Sequence, residues 1–200
     1  MGPSLVDGAK LPFWAGFLLF LLVKDLGEFL FHYAQHRVPF LWAMHSLHHS
    51  DPNMAALTTQ RHYWADPIIK QVTIWSAALM IVKPTTAIYA AYGFLSLWNL
   101  FAHANLPVNF GRWSWIINSP AYHRRHHSIH PEHYDQNFAA LFPIFDVMLG
   151  TYRQPEGYPQ TGLERRPRSL GEVLIWPFIW DRPLPAPEDP VPQPQPHLQS

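Results

Sequence analysis

The sequence predicts an all-α integral membrane protein of about three transmembrane helices with a cytoplasmic histidine-rich helical cap. Three observations carry this reading. Charge is scarce: 14 Lys and Arg and 14 Asp and Glu in 200 residues, or 14%, where a soluble domain has about 25%. Long apolar stretches recur in the first half of the chain. Histidine, with 13 copies, is concentrated in clusters that begin where those stretches end.

The first stretch, Leu11 to Phe31, follows a short lead (residues 1–10) and is apolar or small apart from Lys24, Asp25 and Glu28. At about 1.5 Å per helical residue it reaches across a ~30 Å hydrocarbon core. No basic segment precedes it and no small-residue cleavage site follows, so it reads as a retained helix rather than a signal peptide. A polar section from His32 to Asp66 comes next. Two further apolar arms follow, Pro67 to Val82 and Thr85 to Ala102, interrupted by Lys83 and Pro84. Their break in the middle predicts a helical hairpin. The embedded domain is expected over residues 11–182. Within it, Ser169 to Trp180 is too short to span and suits either the membrane–water interface or packing against the domain. Residues 183–200 hold seven prolines and read as a proline-rich disordered tail, with His197 exposed and without a role.

One crossing followed by a hairpin returns the chain to the same face, so all the histidine clusters meet there. Arg37, Arg61, Arg112, Arg124, Arg125, Arg153, Arg165, Arg166 and Arg168 fall on that side, against Lys10 and Lys83 on the other. By the positive-inside rule the histidine face is cytoplasmic.

The clusters are His32 and His36; His45, His48 and His49; and His123, His126 and His127. On a helix, positions i and i+4 lie roughly 40° apart and i, i+3, i+4 span roughly 100°, so each cluster turns its imidazoles to one side. An unliganded face of that kind would crowd rings without partners, which argues for metal. These eight, with His103 as a ninth, are too many for one ion of four to six ligands and suit a pair. Imidazole alone does not select among zinc, copper, nickel and iron. Cysteine is absent, which excludes disulfide scaffolds, thiolate metal sites and thiol catalysis. A formal net charge of zero leaves no basic field for nucleic acid. Zincin, di-iron carboxylate, nucleophile-elbow and nucleotide-loop motifs are also missing. A zinc-dependent membrane hydrolase is one competing reading; a non-enzymatic metal transporter or haem-binding membrane protein is another. Transporter ligands lie in mid-bilayer, whereas these clusters fall at helix ends, and bis-His haem sites need single histidines rather than triplets.

From Asp25 to Ser50 the chain reads Asp-x2-Glu-x3-His-x3-His-Arg, then Leu41-Trp42, then His-x2-His-His-Ser. Later come Phe101-Ala-His103-Ala-Asn105, Ser119-Pro120 before the second His-x2-His-His, Asp135-Gln-Asn137-Phe, Asp146, and Gly150-Thr151-Tyr152. In order and spacing, from about Phe17 to Tyr152, this resembles the fatty acid hydroxylase and sterol desaturase superfamily of histidine-box membrane oxygenases. The resemblance implies a di-iron centre that activates O2 to hydroxylate or desaturate a lipid: sterol, fatty acyl, sphingolipid or ether lipid. Zinc is possible as purified. Carried over by motif position, the ligands are His32, His36, His45, His48, His49, His103, His123, His126 and His127, with His62 where some relatives carry one more. His130 and His133 fall where the family pattern is not fixed and read as polar residues near the mouth. Many members carry additional membrane helix before the segment matching Leu11 to Phe31, where ten residues stand here. No electron-transfer domain is recognisable, so electrons are expected from a separate cytochrome b5-like or ferredoxin-like protein.

Metal-bound imidazoles usually donate their second nitrogen to a carboxylate or carbonyl. Glu28 and Asp25, one and two turns before His32, are candidates, with a Lys24–Glu28 ion pair as the alternative for Glu28. Asp135, Asn137 and Asp146 are candidates near the third cluster, or else fix turns there.

Overall fold

The computed structural model describes residues 5–180; the proline-rich tail and His197 lie outside the described residues. Among them the regular structure is helical: α1 (Phe13–Arg37), α2 (Pro39–His49), α3 (Ala65–Lys70), α4 (Ser76–Ile81), α5 (Thr86–Ala102), α6 (Pro120–His126), α7 (Ile144–Leu149) and α8 (Leu170–Leu174). Among the described residues, extended backbone pairs only in two isolated bridges, Val6 with Val82 and Ser128 with Thr161.

Proline sets the two breaks that matter most for the histidines. Pro39 cannot continue α1, because it lacks an N–H and its ring clashes with the preceding turn. Val38 is accordingly extended, with φ −100° and ψ 116°, and α2 starts at Pro39. The chain doubles back there, and α1 packs along α2. At α6 the pair Ser119-Pro120 acts as cap and first helical residue, with the Ser119 hydroxyl accepting from the N–H of Tyr122.

The expected hairpin is present. Its first arm runs from α3 through a π-helical segment, Gln71–Trp75, into α4; the second arm is α5. The Thr73 hydroxyl donates to the Ile69 carbonyl inside that widened segment. Phe20, Leu21, Ala78, Val82, Ile88, Ala91 and Leu95 form the core between α1 and the hairpin. Gly27 allows the close approach: a Cβ there would meet Ile74 Cγ2 at 2.9 Å.

No helix among the described residues is long and apolar enough to cross a membrane. The 25-residue α1 has the length, about 37 Å, but carries Lys24, Asp25 and Glu28 in its middle. At 17 residues, α5 is short of the ~20 that a span usually needs. Lys24 and Asp25 are turned inward and buried. The outward face of α1 is instead Trp14, Leu18, Leu22, Leu26 and Leu30, each four residues from the last and each at least 40% exposed. Val72, Met80, Tyr89 and Leu97 continue that apolar surface onto the hairpin.

The tight α1–π contact generates a test. Gly27→Val should lower stability by ~2 kcal/mol, roughly 4–8 °C in Tm, because neither α1 nor a β-branched Ile74 can yield. Gly93, with nothing within 4 Å of a built Cβ, should accept Ala without loss. Equal thermal shifts for the two variants would show that the helices do not meet at Gly27.

Candidate metal centre

The histidines sort by helical spacing. His32 and His36 from α1, His45 and His49 from α2, and His126 from α6 form one group of five; His48, His103, His123 and His127 form a second group of four. Within each group the facing ligand atoms lie within 4.8 Å of one another. Residues four apart point the same way and go to the same group, while the i+3 residue of each triplet, His48 and His126, crosses to the other. The groups adjoin: the rings of His49 and His127 stack at 4.3 Å. A small cavity of about 70 Å³ lies among His32, His45, His48, His103 and His123.

Backbone carbonyls orient the rings. His32 Nδ1 lies 2.7 Å from the Phe138 oxygen, His126 Nδ1 2.7 Å from Gln136, His103 Nδ1 2.7 Å from Asn99, and His48 Nδ1 3.1 Å from Thr58. A carbonyl can only accept, so each of these Nδ1 atoms carries the proton and each Nε2 presents a lone pair. His36 Nδ1 lies 3.4 Å from the Asp135 carboxylate, which Arg37 approaches at 3.3 Å. The hydrogen bond from His36 holds Asp135 below the usual carboxylate range.

This donor set fits metal. Nε2 of His32, His36, His49, His126 and His127, Nδ1 of His123 and both nitrogens of His45 are buried without a hydrogen-bond partner. At about 1–3 kcal/mol for each unmet group, the total would rival the ~5–15 kcal/mol stability of a whole domain. His103 Nε2 also lies 3.2 Å from His48 Nε2 and 2.9 Å from His123 Nε2. Protonation does not relieve that crowding, because burial pushes His103 down to about 3. A shared cation turns the repulsion into attraction.

One stretch supports three members of the five-histidine group. Asp135, Gln136 and Phe138 meet His36, His126 and His32, and the stretch adopts left-handed backbone at Asp135 (φ 57°) and Asn137 (φ 59°), which Asp and Asn tolerate best among non-glycine residues. Asn137 pairs with the Arg153 backbone in both directions. Asp146 accepts from the N–H groups of Phe138 (2.9 Å) and Ala139 (2.8 Å), from Thr151 and from Tyr122. Of the expected carboxylate partners, Asp135 meets a histidine, and Asn137 and Asp146 fix the turn. Asp25 and Glu28 do not orient His32. Asp25 accepts from the N–H groups of Leu141 and Phe142 at 2.9 and 2.7 Å, and Glu28 pairs with Lys24. A helix register one and two turns from His32 puts these carboxylates beside other neighbours, and the long loop reaches His32 first. The supporting carbonyls carry no side-chain signal, so spacing could not identify them; only the Asp-Gln-Asn sequence hinted at left-handed turns.

His62 lies beside the two groups rather than in either. Its ring stacks on His48 at 4.6 Å, and its Nδ1 is 2.9 Å from Asp66 Oδ2. With His45 and Asp66 it makes a smaller cluster. Asp66 is also held by Gln35 at 2.6 Å. His130 and His133 pair with each other and with Ser128 away from both groups, as expected of residues near the mouth.

Residues 17–151 match the fatty acid hydroxylase family. An alkylglycerol monooxygenase of Xenopus tropicalis is 30% identical over 178 residues, covering 85% of this chain and 39% of the relative. An ornithine lipid hydroxylase of Rhizobium tropici is 26% identical, covering 69% of this chain and 42% of the relative. Human cholesterol 25-hydroxylase is 28% identical, covering 68% and 50%. The chain thus spans half or less of the length of these curated relatives. No solved structure matches it.

The buried histidines make the fold sensitive to acid. Burial, reinforced by neighbouring imidazoles, pushes His45, His48, His49, His123 and His127 well below 6.5. Unfolding returns them to about 6.5, so below that pH the unfolded chain binds more protons. Their contribution is fully present above about pH 6.5 and is lost as pH falls toward the folded values, by up to ~1.4 kcal/mol per histidine per pH unit. Denaturation followed from pH 8 to 5, with metal content read in parallel, should be flat at first and then fall steeply, metal and fold together. A level profile to pH 5 would mean that water already reaches these rings.

Proposed function

The chain belongs to the fatty acid hydroxylase family, and from that premise we propose that it is an O2-dependent membrane oxygenase that hydroxylates a lipid at a pair of iron ions. The observation that carries this reading is the division of nine buried imidazoles into groups of five and four with unmet nitrogens turned inward. His32, His36, His45, His49 and His126 would hold one ion, and His48, His103, His123 and His127 the other. His62 would tune His48 by stacking or complete the second set. The relatives named above are a monooxygenase and two hydroxylases acting on ether lipid, ornithine lipid and cholesterol, which favours hydroxylation over desaturation.

With both ions bound, the centre would use O2, two electrons and two protons to convert a C–H bond to C–OH, the second oxygen atom leaving as water. The chain supplies the rest. The carbonyls of Phe138, Gln136, Asn99 and Thr58 hold four imidazoles in the tautomer that presents Nε2. Asp135 does the same for His36 and raises its basicity. Burial keeps bulk water from the reacting carbon and lowers the local dielectric. Electrons would come from a separate protein of the cytochrome b5 or ferredoxin kind.

Membrane embedding is part of the proposal. An outward stripe of Trp14, Leu18, Leu22, Leu26 and Leu30, continued by Val72, Met80, Tyr89 and Leu97 on the hairpin, is an exposed apolar face of the kind that meets a membrane. The charges that interrupt α1 face the interior, so lipid meets hydrocarbon along most of its length. The histidine centre then lies at the cytoplasmic end of α1 and α5, on the side richer in arginine.

The test combines metal and product. Protein from iron-supplemented cells should hold close to two transition-metal ions per chain, with zinc competing for the same imidazoles. Given lipid extract, reductant and air, it should form hydroxylated product, and none under nitrogen. His49→Ala should abolish product and lose metal, because it leaves a gap in the five-histidine group. Product formed equally without O2, or surviving His49→Ala, would refute oxygenation at this centre and favour a hydrolase.

A further inference from the structure

Two larger cavities flank the histidine centre, and their linings differ in kind. One, of about 260 Å³, lies between α1, α3 and α5 and is lined by Lys24, Glu28, Asp66 and Lys70 among others. An aliphatic chain placed there would strip water from six ionisable groups, Asp25 and His62 included, and could offer them no hydrogen bond of its own. The other, of about 600 Å³, opens on His36, His49 and His126, three members of the five-histidine group whose Nε2 atoms are unmet. Its volume lies in the range of small-molecule sites, and its lining joins Trp42, Tyr134, Leu163 and Trp180 to the charged Asp135, Glu164 and Arg165.

That wall is built in layers. Trp42 packs on the rings of His36 at 4.8 Å and His49 at 5.3 Å. Trp180 stands edge-on to Trp42 at 6.0 Å and beside Trp176 at 5.6 Å. Trp176 is anchored by its indole N–H to the Ser46 hydroxyl at 2.9 Å, on α2 itself. The Arg165 guanidinium lies over both Trp176 and Trp180 and donates to the Trp180 carbonyl. Residues 163–180 are therefore strapped across the mouth by contacts of their own. They lie beyond the family match, which ends at residue 151.

We infer that the cavity beside His36, His49 and His126 is the chamber for the apolar part of an amphiphilic lipid. Its outer wall, Leu163 and Trp180 against Trp42, determines which lipid is accepted and which carbon reaches the centre. The polar end of the lipid lies at the mouth beside Glu164 and Arg165. This rests on the lipid-oxygenase reading and adds to it where substrate binds and what selects it: residues 163–180, beyond the stretch that matches the family.

The experiment maps occupancy directly, in the intact metal-loaded chain. A long-chain lipid bearing a diazirine near its alkyl end is photolysed on the protein, and adducts are located by mass spectrometry with and without excess unlabelled lipid. Adducts suppressed by competitor are expected on Leu163, Trp42 or Trp180, and not on Trp75, Tyr92 or Leu95 around the charged cavity. Leu163→Trp should weaken competition tenfold or more while metal content stays unchanged; should that variant lose metal, the wild-type map decides alone. Suppressible adducts only around the charged cavity, or none at all, would overturn the proposal. The map needs no turnover, so it separates two failures. Oxidation with an empty chamber leaves the oxygenase reading intact, and a filled chamber without O2-dependent product leaves the chamber intact.

Discussion

Nine imidazoles buried in one place, kept neutral by that burial, cannot satisfy one another. Each neutral ring has one donor and one acceptor, and where backbone carbonyls already take the donors, the acceptors converge on space that only a cation can fill. Around this constraint the other features arrange themselves. The lone pairs must be aimed, and at Nδ1 four rings meet main-chain carbonyls while His36 meets the Asp135 carboxylate; those partners must be held in turn. The Asp135 to Phe138 stretch does this for three rings, and it keeps its left-handed residues because Asn137, Asp146 and their partners secure it from behind.

The same logic extends into the helical bundle. Asp25 is a carboxyl group buried in the middle of a largely apolar helix, which is costly unless its oxygens are met. They are met by the N–H groups of Leu141 and Phe142, more than a hundred residues away. That contact ties α1 to the loop that orients His32, so a residue that weakens the hydropathy of α1 also positions the centre. Lys24 and Glu28 neutralise each other one turn on. Charge that looks like an interruption in the linear pattern is, in three dimensions, turned inward, and the outward apolar stripe is left unbroken.

Most of the helical architecture was legible from the chain alone. The apolar arms, the break at Lys83 and Pro84, and the hairpin all follow from local hydropathy and from proline. The three charges on α1 made span prediction depend on which way they face, which a one-dimensional average does not encode. The grouping of the histidines was half legible. Spacing by four and by three predicted shared faces and a pair of ions; that the i+3 ring of each triplet crosses to the other group depends on how α1, α2 and α6 meet.

The sequence by itself determined the number and type of donor atoms, their helical spacing and the proline breaks that turn α2 back on α1. These are consequences of covalent order and the 3.6-residue period, which act over a few residues. Only the tertiary structure decided which carbonyls take the Nδ1 protons of His32, His48, His103 and His126. It also decided that Asp25 serves a distant loop, and that residues 163–180 pack against α2 beside the centre. Those outcomes depend on where loops far apart in the chain come to rest, and a carbonyl, identical in every residue, leaves no mark in the sequence of the work its position will give it.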